Sequence, residues 1–409
     1  MNRGKRVVIT GCGVVSSLGN TPEELYSRLA AGEGAARVMT SWGTGQVAAP
    51  VDLSESVIRS IPRAKRRFMG RVAILSALAG QKAVESAGLS EEEVRSGRTG
   101  CVVGSTIGST SEMDNSFRTL LLGGGIAEMS PMAFFKCASH TTAFNTASLL
   151  DISGAVYSPA AACASGLQAA GIAMAMISSG IQDVVLCGGA DEVSPLVSGC
   201  FELMEAHASV KGLAPDRIAR PFDKHRNGLI CGEGAGILVL EEYEHALARG
   251  ARILAEVYSY SSCRCPGSVS QSDSSSIFRC IRDVYKQVDF TPAETDYISA
   301  HATSTLQGDK AEADALRAVF GDAVPVSSLK GHLGHTLAAS GTLEIIAVLE
   351  MMKHGTLIPT RNLEEVDPEC GGLDHVREPR QCRIRRVLKN CFAFGGINSA
   401  MLFGIVNEG

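Results

Sequence analysis

The sequence is poor in aromatic residues, in net positive charge and in long apolar runs, and each shortage excludes a class of protein. Aromatic residues make up 5% of the 409 residues, whereas 44 residues are glycine. This composition is typical of a tightly packed α/β enzyme and not of a disordered or fibrous chain. The 38 basic residues are outnumbered by 43 acidic residues, so general nucleic-acid binding is not expected. No uninterrupted apolar run approaches the length of a membrane span.

The sequence also lacks a cysteine framework and a clear signal peptide. Its 13 cysteines are an odd number, and several lie in apolar runs, which is typical of buried, reduced thiols in a cytosolic protein. Cys263 and Cys265 have no metal-binding pattern of Cys or His nearby, so a metal site is not expected. The apolar stretch after the basic N-terminus ends at Thr10, without a clean cleavage site. We therefore expect a cytoplasmic protein.

Short β-branched runs alternate with segments that carry helix-start signals. Thr21, Ser90 and Thr291 are each followed three positions later by Glu, which is the pattern of a capping box. The predicted buried strands are Arg6–Thr10, Gly100–Val103, Asp183–Cys187, Gly236–Leu240, Ile253–Tyr258, Tyr297–Ala300, Pro325–Ser328 and Met401–Ile405. This alternation predicts an α/β fold of parallel sheets with helices packed on them.

No linker clearly divides the chain. The most loop-like segment, the Ser-rich residues 268–276, is short. Because the strands restart near Ile253, a boundary close to residue 250 fits the pattern best. We therefore predict two similar α/β halves, residues 1–250 and 251–409, which share one core and carry their chemistry at the junction.

Cys163 is the candidate nucleophile. It lies in Ala-Ala-Cys-Ala-Ser-Gly, between an extended stretch that ends at Pro159 and the small, apolar residues 160–176, which predict a buried helix. A thiol at such a strand-to-helix turn meets the partial positive charge of the helix N-terminus. We therefore expect a lowered thiol pKa, which favours the reactive thiolate. The flanking alanines and Gly166 allow a substrate to approach closely.

Two histidines and a lysine complete the candidate catalytic set. His301 follows a predicted strand, at the edge where α/β proteins collect catalytic groups. Lys330 and His335 lie in Ser-Ser-Leu-Lys-Gly-His-Leu-Gly-His, ahead of a helix-like segment. Two neutral imidazoles directed at one carbonyl oxygen would stabilise an enolate as it forms. His332, between them, is interpreted as an ordinary hydrogen-bonded histidine.

At these residues the chain resembles the β-ketoacyl-acyl-carrier-protein synthases, the decarboxylating condensing enzymes of the thiolase fold. The resemblance runs nearly end to end, through Val7–Gly11, Pro221–Gly228, Gly232–Gly236, Gly308–Glu312 and Phe394–Asn398. The order Cys, His, His distinguishes these enzymes from non-decarboxylating relatives and from those that use Cys, His and Asn. The resemblance implies duplicated βαβαβαββ halves that form an αβαβα layered core.

The resemblance also implies a decarboxylative Claisen condensation. Cys163 would accept an acyl group from acyl carrier protein. His301 and His335 would promote decarboxylation of malonyl carrier protein, and the resulting enolate would attack the acyl thioester. The backbone N–H groups of Cys163 and Phe394 would form an oxyanion hole. No metal or redox cofactor is implied, because the phosphopantetheine arm arrives with the carrier protein.

Supporting and binding residues follow from the same resemblance. Lys330 and Glu312 would form the supporting pair around the histidines. The Phe394 ring would gate access, within a loop that includes Gly395 and Gly396. Four more residues match binding positions of the family: Thr303 and Thr305 at the phosphopantetheine arm, and Ile107 and Leu229 at the acyl pocket.

A basic cluster is the candidate docking surface for the acidic carrier protein. It consists of Arg63, Lys65, Arg66, Arg67 and Arg71. No acidic residue interrupts this stretch of sequence, so its field is expected to be free of local cancellation. An ordinary solvated helix face is the alternative interpretation.

Several residues depart from the family pattern and bear on the substrate. Ala302, Leu306, Leu229 and Ile397 replace residues of the cavity wall and of the gate, and Asn227 replaces an Asp of the family. None of these changes removes a catalytic group. They favour a specialised type II polyketide or polyene pathway over housekeeping fatty-acid elongation, although the site and not the fold sets the substrate.

Two alternatives remain open at this point. The chain could be a non-catalytic, chain-length-factor-like partner in a ketosynthase heterodimer, but such partners typically lack the cysteine that stands here at position 163. It could also be a biosynthetic thiolase, which the second histidine and the basic cluster argue against. In each case we expect a two-fold dimer, either of identical chains or with a chain-length-factor-like subunit.

Overall fold

The computed structural model describes residues 4–43, 45–208, 212–266 and 273–406. The strands in this part of the chain are β1 (Val7–Ser16), β2 (Arg37–Val38), β3 (Val47–Ala49), β4 (Thr99–Gly104), β5 (Val156–Tyr157), β6 (Val184–Asp191), β7 (Cys231–Gly232), β8 (Gly234–Glu242), β9 (Ala255–Arg264), β10 (Tyr297–Ser299), β11 (Pro325–Ser327), β12 (Thr356–Leu357), β13 (Asp374–His375), β14 (Arg380–Gln381), β15 (Arg386–Ala393) and β16 (Ile397–Gly404).

The α-helices are α1 (Pro22–Ala30), α2 (Glu55–Ser60), α3 (Arg63–Arg66), α4 (Arg71–Ala87), α5 (Glu91–Arg95), α6 (Thr110–Leu122), α7 (Ala133–Cys137), α8 (Thr141–Leu150), α9 (Ser165–Ser178), α10 (Pro195–Leu203), α11 (Tyr243–Ala248), α12 (Ser274–Tyr285), α13 (Leu306–Phe320), α14 (Lys330–Leu333) and α15 (Ser340–His354). Short 3-10 helices cover Thr40–Trp42, Gly125–Glu128, Pro215–Arg217, Pro292–Glu294, Leu337–Ala339 and Pro368–Cys370. Among the described residues, no helix combines the length and the apolar character that crossing a bilayer requires.

In the part of the chain that the structure describes, eleven strands form one sheet whose two sides repeat the same arrangement. The sheet is mixed, so the prediction of parallel sheets is wrong for its central strands, which pair antiparallel. Its order is β13-β11-β10-β15-β16-β9-β1-β8-β6-β4-β5. Outward from β1, the pairs β1–β8 and β8–β6 are antiparallel, and β6–β4 and β4–β5 are parallel. Outward from β9, the sequence of pairings is the same, through β16, β15, β10 and β11. The two sets meet where β1 pairs antiparallel with β9.

Helices α9 and α15 lie between the two sets of strands. Helix α9 contacts β4, β6 and β8 on one side and β9 and β16 on the other, and α15 contacts β8 and β15. Helices α4 and α8 cover the outer face of the first set, and α12 packs on β9, β16 and α13 at the second. The result is five alternating layers of helix and strand, as predicted.

The two central helices approach each other closely at two glycines. A Cβ at Gly166 in α9 would lie 2.3 Å from the carbonyl oxygen of Ala338, and one at Gly341 in α15 would lie 2.8 Å from the backbone nitrogen of Leu167. Both distances are shorter than van der Waals contact allows. Glycine at these two positions therefore lets the central layer pack at this separation.

All eight predicted strands are present, although most extend beyond their predicted bounds. Thr21 and Ser90 cap α1 and α5 as predicted, but the capping box at Thr291 opens only a three-residue 3-10 helix. Part of the predicted loop at residues 268–276 lies outside the described residues, and its end begins α12 at Ser274. The predicted boundary near residue 250 lies between α11 and β9, and the division into two halves there stays a prediction.

Candidate active site

Cys163 lies in a strained turn directly before the central helix α9. Its neighbour Ala162 has a φ of 46°, a left-handed conformation that costs free energy in a non-glycine residue. The Ser165 hydroxyl fixes the turn, because it accepts a hydrogen bond from the Ala161 nitrogen at 2.9 Å and donates one to the Ala162 carbonyl at 2.6 Å. The turn therefore holds the thiol in one position.

Burial, and not the helix, dominates the ionisation of Cys163. The residue is 6% exposed, and burial raises the pKa of its thiol above the ordinary value. Helix α9 begins two residues later, at Ser165. The expected lowering of the thiol pKa by the helix N-terminus is therefore wrong for the free chain: removal of water destabilises the thiolate more than nearby positive charge stabilises it.

His301 and His335 lie next to each other in one cavity with Cys163. Their ring centroids are 5.2 Å apart, and the two rings are nearly perpendicular. His301 follows β10, and His335 follows the turn after α14. Leu229 and Phe394 also form part of the wall of this cavity. Three distant sequence segments thus provide one thiol and two imidazoles to the same space.

Both imidazoles are held in the neutral form. Burial lowers the pKa of His301 and of His335 well below the ordinary histidine value, and the charges of Lys330 and Lys389 lower both further. The Nδ1 atom of His335 is hydrogen-bonded to the Ser340 hydroxyl at 3.0 Å. The Nδ1 atom of His301 is buried without a hydrogen-bond partner among the described residues. An uncharged imidazole with an unused nitrogen suits an incoming polar group.

Three buried charged side chains, Lys330, Lys389 and Glu344, form a hydrogen-bonded group near the two histidines. Glu344 accepts hydrogen bonds from Lys330 at 2.7 Å and from Lys389 at 2.5 Å. All three side chains are at most 2% exposed. The sequence motifs include Lys330 but not the other two residues, because Glu344 lies in the helix α15 and Lys389 in the strand β15, two elements in which most residues are apolar.

Lys330 and Glu312, the predicted supporting residues around the histidines, act on them separately. Glu312 accepts hydrogen bonds from the backbone nitrogens of His301 at 2.9 Å and Ala302 at 2.7 Å, and from the Asn390 amide at 3.0 Å. Glu312 therefore fixes the backbone that carries His301, whereas Lys330 is neutralised by Glu344. The two carboxylates come from different helices, Glu312 from α13 and Glu344 from α15.

The predicted gate is the turn between β15 and β16. Phe394 stacks on Phe201 with a ring-centroid distance of 5.9 Å. Gly395 and Gly396 follow with φ angles of 89° and 73°, which favour glycine. A Cβ at Gly396 would also lie 2.9 Å from the carbonyl oxygen of Cys265. The turn therefore depends on its glycines, and it brings an aromatic ring to the cavity wall.

Most of the predicted binding residues line the cavity, and one does not. Thr303, Thr305, Leu229 and the substituted Ala302 are part of its wall, and the Thr303 and Thr305 hydroxyls are 3.1 Å apart. Ile107 is 44% exposed and lies outside the cavity wall. The turn after β4 presents it to solvent in the single chain, and its role at the acyl pocket stays a prediction.

The charge of the predicted docking cluster is partly cancelled, contrary to expectation. Lys65 pairs with Asp151 at 3.0 Å, and Arg71 pairs with the buried Glu233. Both carboxylates are distant in sequence, so the local pattern could not reveal them. Arg63 and Arg67 are exposed, and the Arg67 guanidinium lies 4.5 Å from the centre of the Phe68 ring.

His332, in contrast, faces the protein and not the cavity. Its Nδ1 and Nε2 atoms lie 2.9 Å and 3.1 Å from the carbonyl oxygens of Glu33 and Pro359. It therefore links α14 to two neighbouring segments, which agrees with its interpretation as an ordinary hydrogen-bonded histidine.

Comparisons with known proteins agree with this fold. Residues 4–246 match the model of the β-ketoacyl synthase N-terminal domain, and residues 254–364 match that of the C-terminal domain. The chain is 35% identical over 405 residues to 3-oxoacyl-(acyl-carrier-protein) synthase 1 of Haemophilus influenzae, covering 98% of each chain.

Solved structures give the same result. A β-ketoacyl synthase from Burkholderia phymatum STM815 superposes with a TM-score of 0.94 at 39% identity, covering 98% of this chain and 100% of that one. The ishigamide ketosynthase/chain length factor superposes with a TM-score of 0.91 at 34% sequence identity, covering 99% of this chain and 100% of that one. A ketosynthase complex with a type II PKS acyl-carrier protein, bound to the hexaketide, gives 0.89 at 28% identity, again covering 99% and 100%.

The five-layer fold and these matches identify the class of protein. The chain belongs to the β-ketoacyl synthase family. It has the thiolase fold, and it is a ketosynthase, an enzyme of the acyltransferase type.

Proposed function

We propose that this ketosynthase condenses a Cys163-bound acyl chain with malonyl carrier protein and releases carbon dioxide. The observation that carries the proposal is the shared cavity in which the Cys163 thiol meets two neutral imidazoles. A decarboxylating enzyme needs uncharged donors at the thioester oxygen and a nucleophile to hold the chain. The acyl carrier protein supplies both substrates and the phosphopantetheine arm, and no metal or redox cofactor takes part.

In the first half-reaction, the Cys163 sulfur attacks the acyl thioester of the carrier. A new C–S bond forms, the bond to the pantetheine sulfur breaks, and the thiol proton leaves with the pantetheine thiol. Because burial raises the pKa of the Cys163 thiol, the proton must move during the attack. The backbone N–H groups of Cys163 and Phe394 stabilise the negative charge that develops on the thioester oxygen.

In the second half-reaction, malonyl carrier protein loses its carboxylate as carbon dioxide. The electron pair of the broken C–C bond moves into the thioester and forms an enolate, whose oxygen lies against the imidazoles of His301 and His335. In this step the proton of the neutral His335 ring is on Nε2 and is donated to the enolate, while Nδ1 accepts a hydrogen bond from the Ser340 hydroxyl, whose oxygen lies 3.0 Å away. The enolate carbon then attacks the acyl group and releases the Cys163 thiolate, which recovers a proton.

Within this reaction we favour a specialised type II polyketide or polyene pathway over fatty-acid elongation. Leu229 and Ala302, two of the residues that depart from the family pattern, line the cavity. The similar proteins include both a 3-oxoacyl-(acyl-carrier-protein) synthase and a ketosynthase/chain length factor. We propose a two-fold dimer, with an identical chain or with a chain-length-factor-like subunit. Efficient saturated elongation by the isolated protein would exclude the specialised pathway.

The test is intact-protein mass spectrometry of the purified chain with acyl and malonyl carrier proteins. Wild type is expected to gain the acyl mass and then release a product extended by one ketide unit. Cys163→Ala removes the acyl mass and the condensation product. Cys231→Ala is the matched control, because Cys231 is buried in the same apolar cluster and is expected to leave acylation intact. A wild-type chain that never acylates, alone or with a chain-length-factor partner, would refute the proposal.

A further inference from the structure

We propose that Cys263 and Cys280 form a peroxide-sensitive thiol pair whose disulfide restrains the gate turn, residues 394–396. Cys263 lies near the end of β9 and Cys280 in α12, so a disulfide would join a strand to the helix packed on it. The cross-link itself is independent of the proposed function, whereas its effect on turnover rests on the gate role given there to Phe394.

The two thiols face each other across the contact between β9 and α12. Ser261 and Cys263 share one face of the strand, and Ser276 and Cys280, four residues apart, share one face of the helix. The Cys263 Sγ atom lies 3.4 Å from the Ser276 carbonyl oxygen, and the Cys280 Sγ atom lies 3.6 Å from the Ser261 carbonyl oxygen. Each thiol thus reaches the backbone of the other element.

The surroundings make Cys263 the reactive member of the pair. The neighbouring Cys280 thiol and the Arg279 guanidinium lower the pKa of Cys263 to about 6, and Cys263 is only partly buried. Cys280 is fully buried, and its thiol pKa is raised by its interaction with Cys263 and by burial. A partly exposed thiolate beside a second thiol is the usual arrangement of an oxidation-sensitive cysteine.

The chemistry requires one hydroperoxide as oxidant. The Cys263 thiolate attacks a peroxide oxygen: an S–O bond forms, the O–O bond breaks and hydroxide leaves, so that the sulfur is oxidised to a sulfenic acid by two electrons. The Cys280 sulfur then attacks the oxidised sulfur. The S–S bond forms, the S–O bond breaks, and the departing hydroxide takes the Cys280 proton as water. A dithiol reductant reverses the process.

The pair is connected to the gate turn through the start of β16. Asn398 is the partner of Cys263 in the β9–β16 pairing, and its amide donates to the Ser276 hydroxyl at 2.9 Å. Two residues from Cys263, the Cys265 nitrogen donates to the Gly396 carbonyl at 2.8 Å. A covalent bond between β9 and α12 therefore restrains the start of β16, the segment in which the gate turn ends.

The test treats the purified full-length protein with hydrogen peroxide and maps its disulfides by non-reducing peptide mass spectrometry. The expected product is a linked pair of peptides with Cys263 and Cys280, about 2 Da lighter than the separate peptides together. Cys263→Ser is expected to abolish the link. Cys200→Ser is the matched control, because Cys200 is an exposed thiol in another part of the structure. This variant is expected to form the same linked pair of peptides as wild type. Absence of the link in wild type would overturn the proposal.

Turnover of the same samples tests the restraint on the gate. Peroxide is expected to lower the acylation rate of wild type several-fold, with recovery after dithiothreitol, and to have much less effect on Cys263→Ser. If the disulfide between Cys263 and Cys280 is found but the acylation rate is unchanged, the proposed restraint of the gate turn is wrong. If untreated protein has no ketosynthase activity, the proposed function fails, and the peptide map still decides whether the thiol pair exists.

Discussion

At the scale of single residues, the buried charges around the two histidines decide what the imidazoles can do. Lys330 and Lys389 both contact Glu344, and both lower the pKa of His301 and His335. A carboxylate placed directly beside the rings would instead favour the imidazolium. Burial is the larger cause of the lowered pKa values of the two histidines, and the two lysines lower them further, while Glu344 keeps the lysine charges paired.

Lys389→Met tests this arrangement. Removing one member of a buried charge group is expected to lower the free energy of unfolding by about 3 kcal/mol. Because a cation is lost, the pKa values of the histidines rise toward the ordinary value. The fall of malonyl-decarboxylation rate on acidification is therefore expected at a higher pH than in wild type, as measured by a pH–rate profile.

Lys353→Met is the matched control for that profile. Lys353 pairs with Glu23 and Glu350 at the surface, so its loss is expected to leave the acid side of the profile unchanged. If Lys389→Met is destabilised but its pH–rate profile is the same as that of wild type, Lys389 has a structural role and does not lower the pKa values of the histidines.

At the scale of secondary-structure elements, the short helix α3 and the start of α4 carry the basic cluster. Of its five members, Lys65 and Arg71 are engaged by Asp151 and Glu233. Arg66 donates to the Ile58 carbonyl at 3.0 Å. Arg63 and Arg67 are the exposed members of the cluster. We therefore expect these two arginines to contribute most to attraction of an acidic carrier protein.

The double variant Arg63→Glu, Arg67→Glu is expected to raise KM for acyl carrier protein about tenfold at low salt, because charge reversal opposes electrostatic steering. The effect should shrink as salt is added, since exposed charges are screened. Steady-state kinetics with purified carrier protein measure both. Lys65→Met, whose charge is already offset by Asp151, is expected to change KM far less. Equal effects of the two variants would contradict this assignment.

At the scale of the whole molecule, the repeated strand arrangement brings the catalytic groups together. Cys163 lies between β5 and the central helix α9, and His335 lies between β11 and the central helix α15. Strands β5 and β11 hold corresponding places in the two sets of the sheet. Because α9 and α15 pack against each other at the centre, the segments that precede them meet in one cavity.

Burial of histidines also gives the whole molecule a dependence of stability on pH. The pKa is lowered in five buried histidines: His207, His301, His332, His335 and His375. The pKa of a histidine in the unfolded chain is about 6.5. Below that pH the unfolded chain binds protons that the folded chain does not, so each of these histidines lowers the free energy of unfolding by up to about 1.4 kcal/mol per pH unit. Asp191 and Asp309, whose pKa values burial raises to about 6 and about 7, act in the opposite direction.

A comparison of variants separates the histidine contribution. In the double variant His301→Asn, His335→Asn, two groups that must stay neutral no longer titrate. Its Tm is therefore expected to fall less than that of wild type when the pH is lowered from about 7.5 to about 5.5. Thermal unfolding followed by circular dichroism at both pH values measures the difference. The same fall in both proteins would show that these histidines do not contribute.

The sequence by itself determined the eight core strands and the group of residues around Cys163, His301 and His335. Strand signals are local, because a buried strand must be apolar over consecutive residues, and the site motifs are short segments that end at the sheet edge. The division near residue 250 and the docking role of the cluster stay predictions.

Which charged groups contact each other depends on the packing of the folded chain. Glu344, Lys389, Asp151 and Glu233 lie far along the chain from their partners, and no periodic pattern marks them. The ionisation of Cys163 was likewise a property of the folded chain, because the water that surrounds a thiol is removed by packing and not by its neighbours in sequence. Sequence therefore supplies the reacting groups, whereas the packed layers set their charges and pKa values.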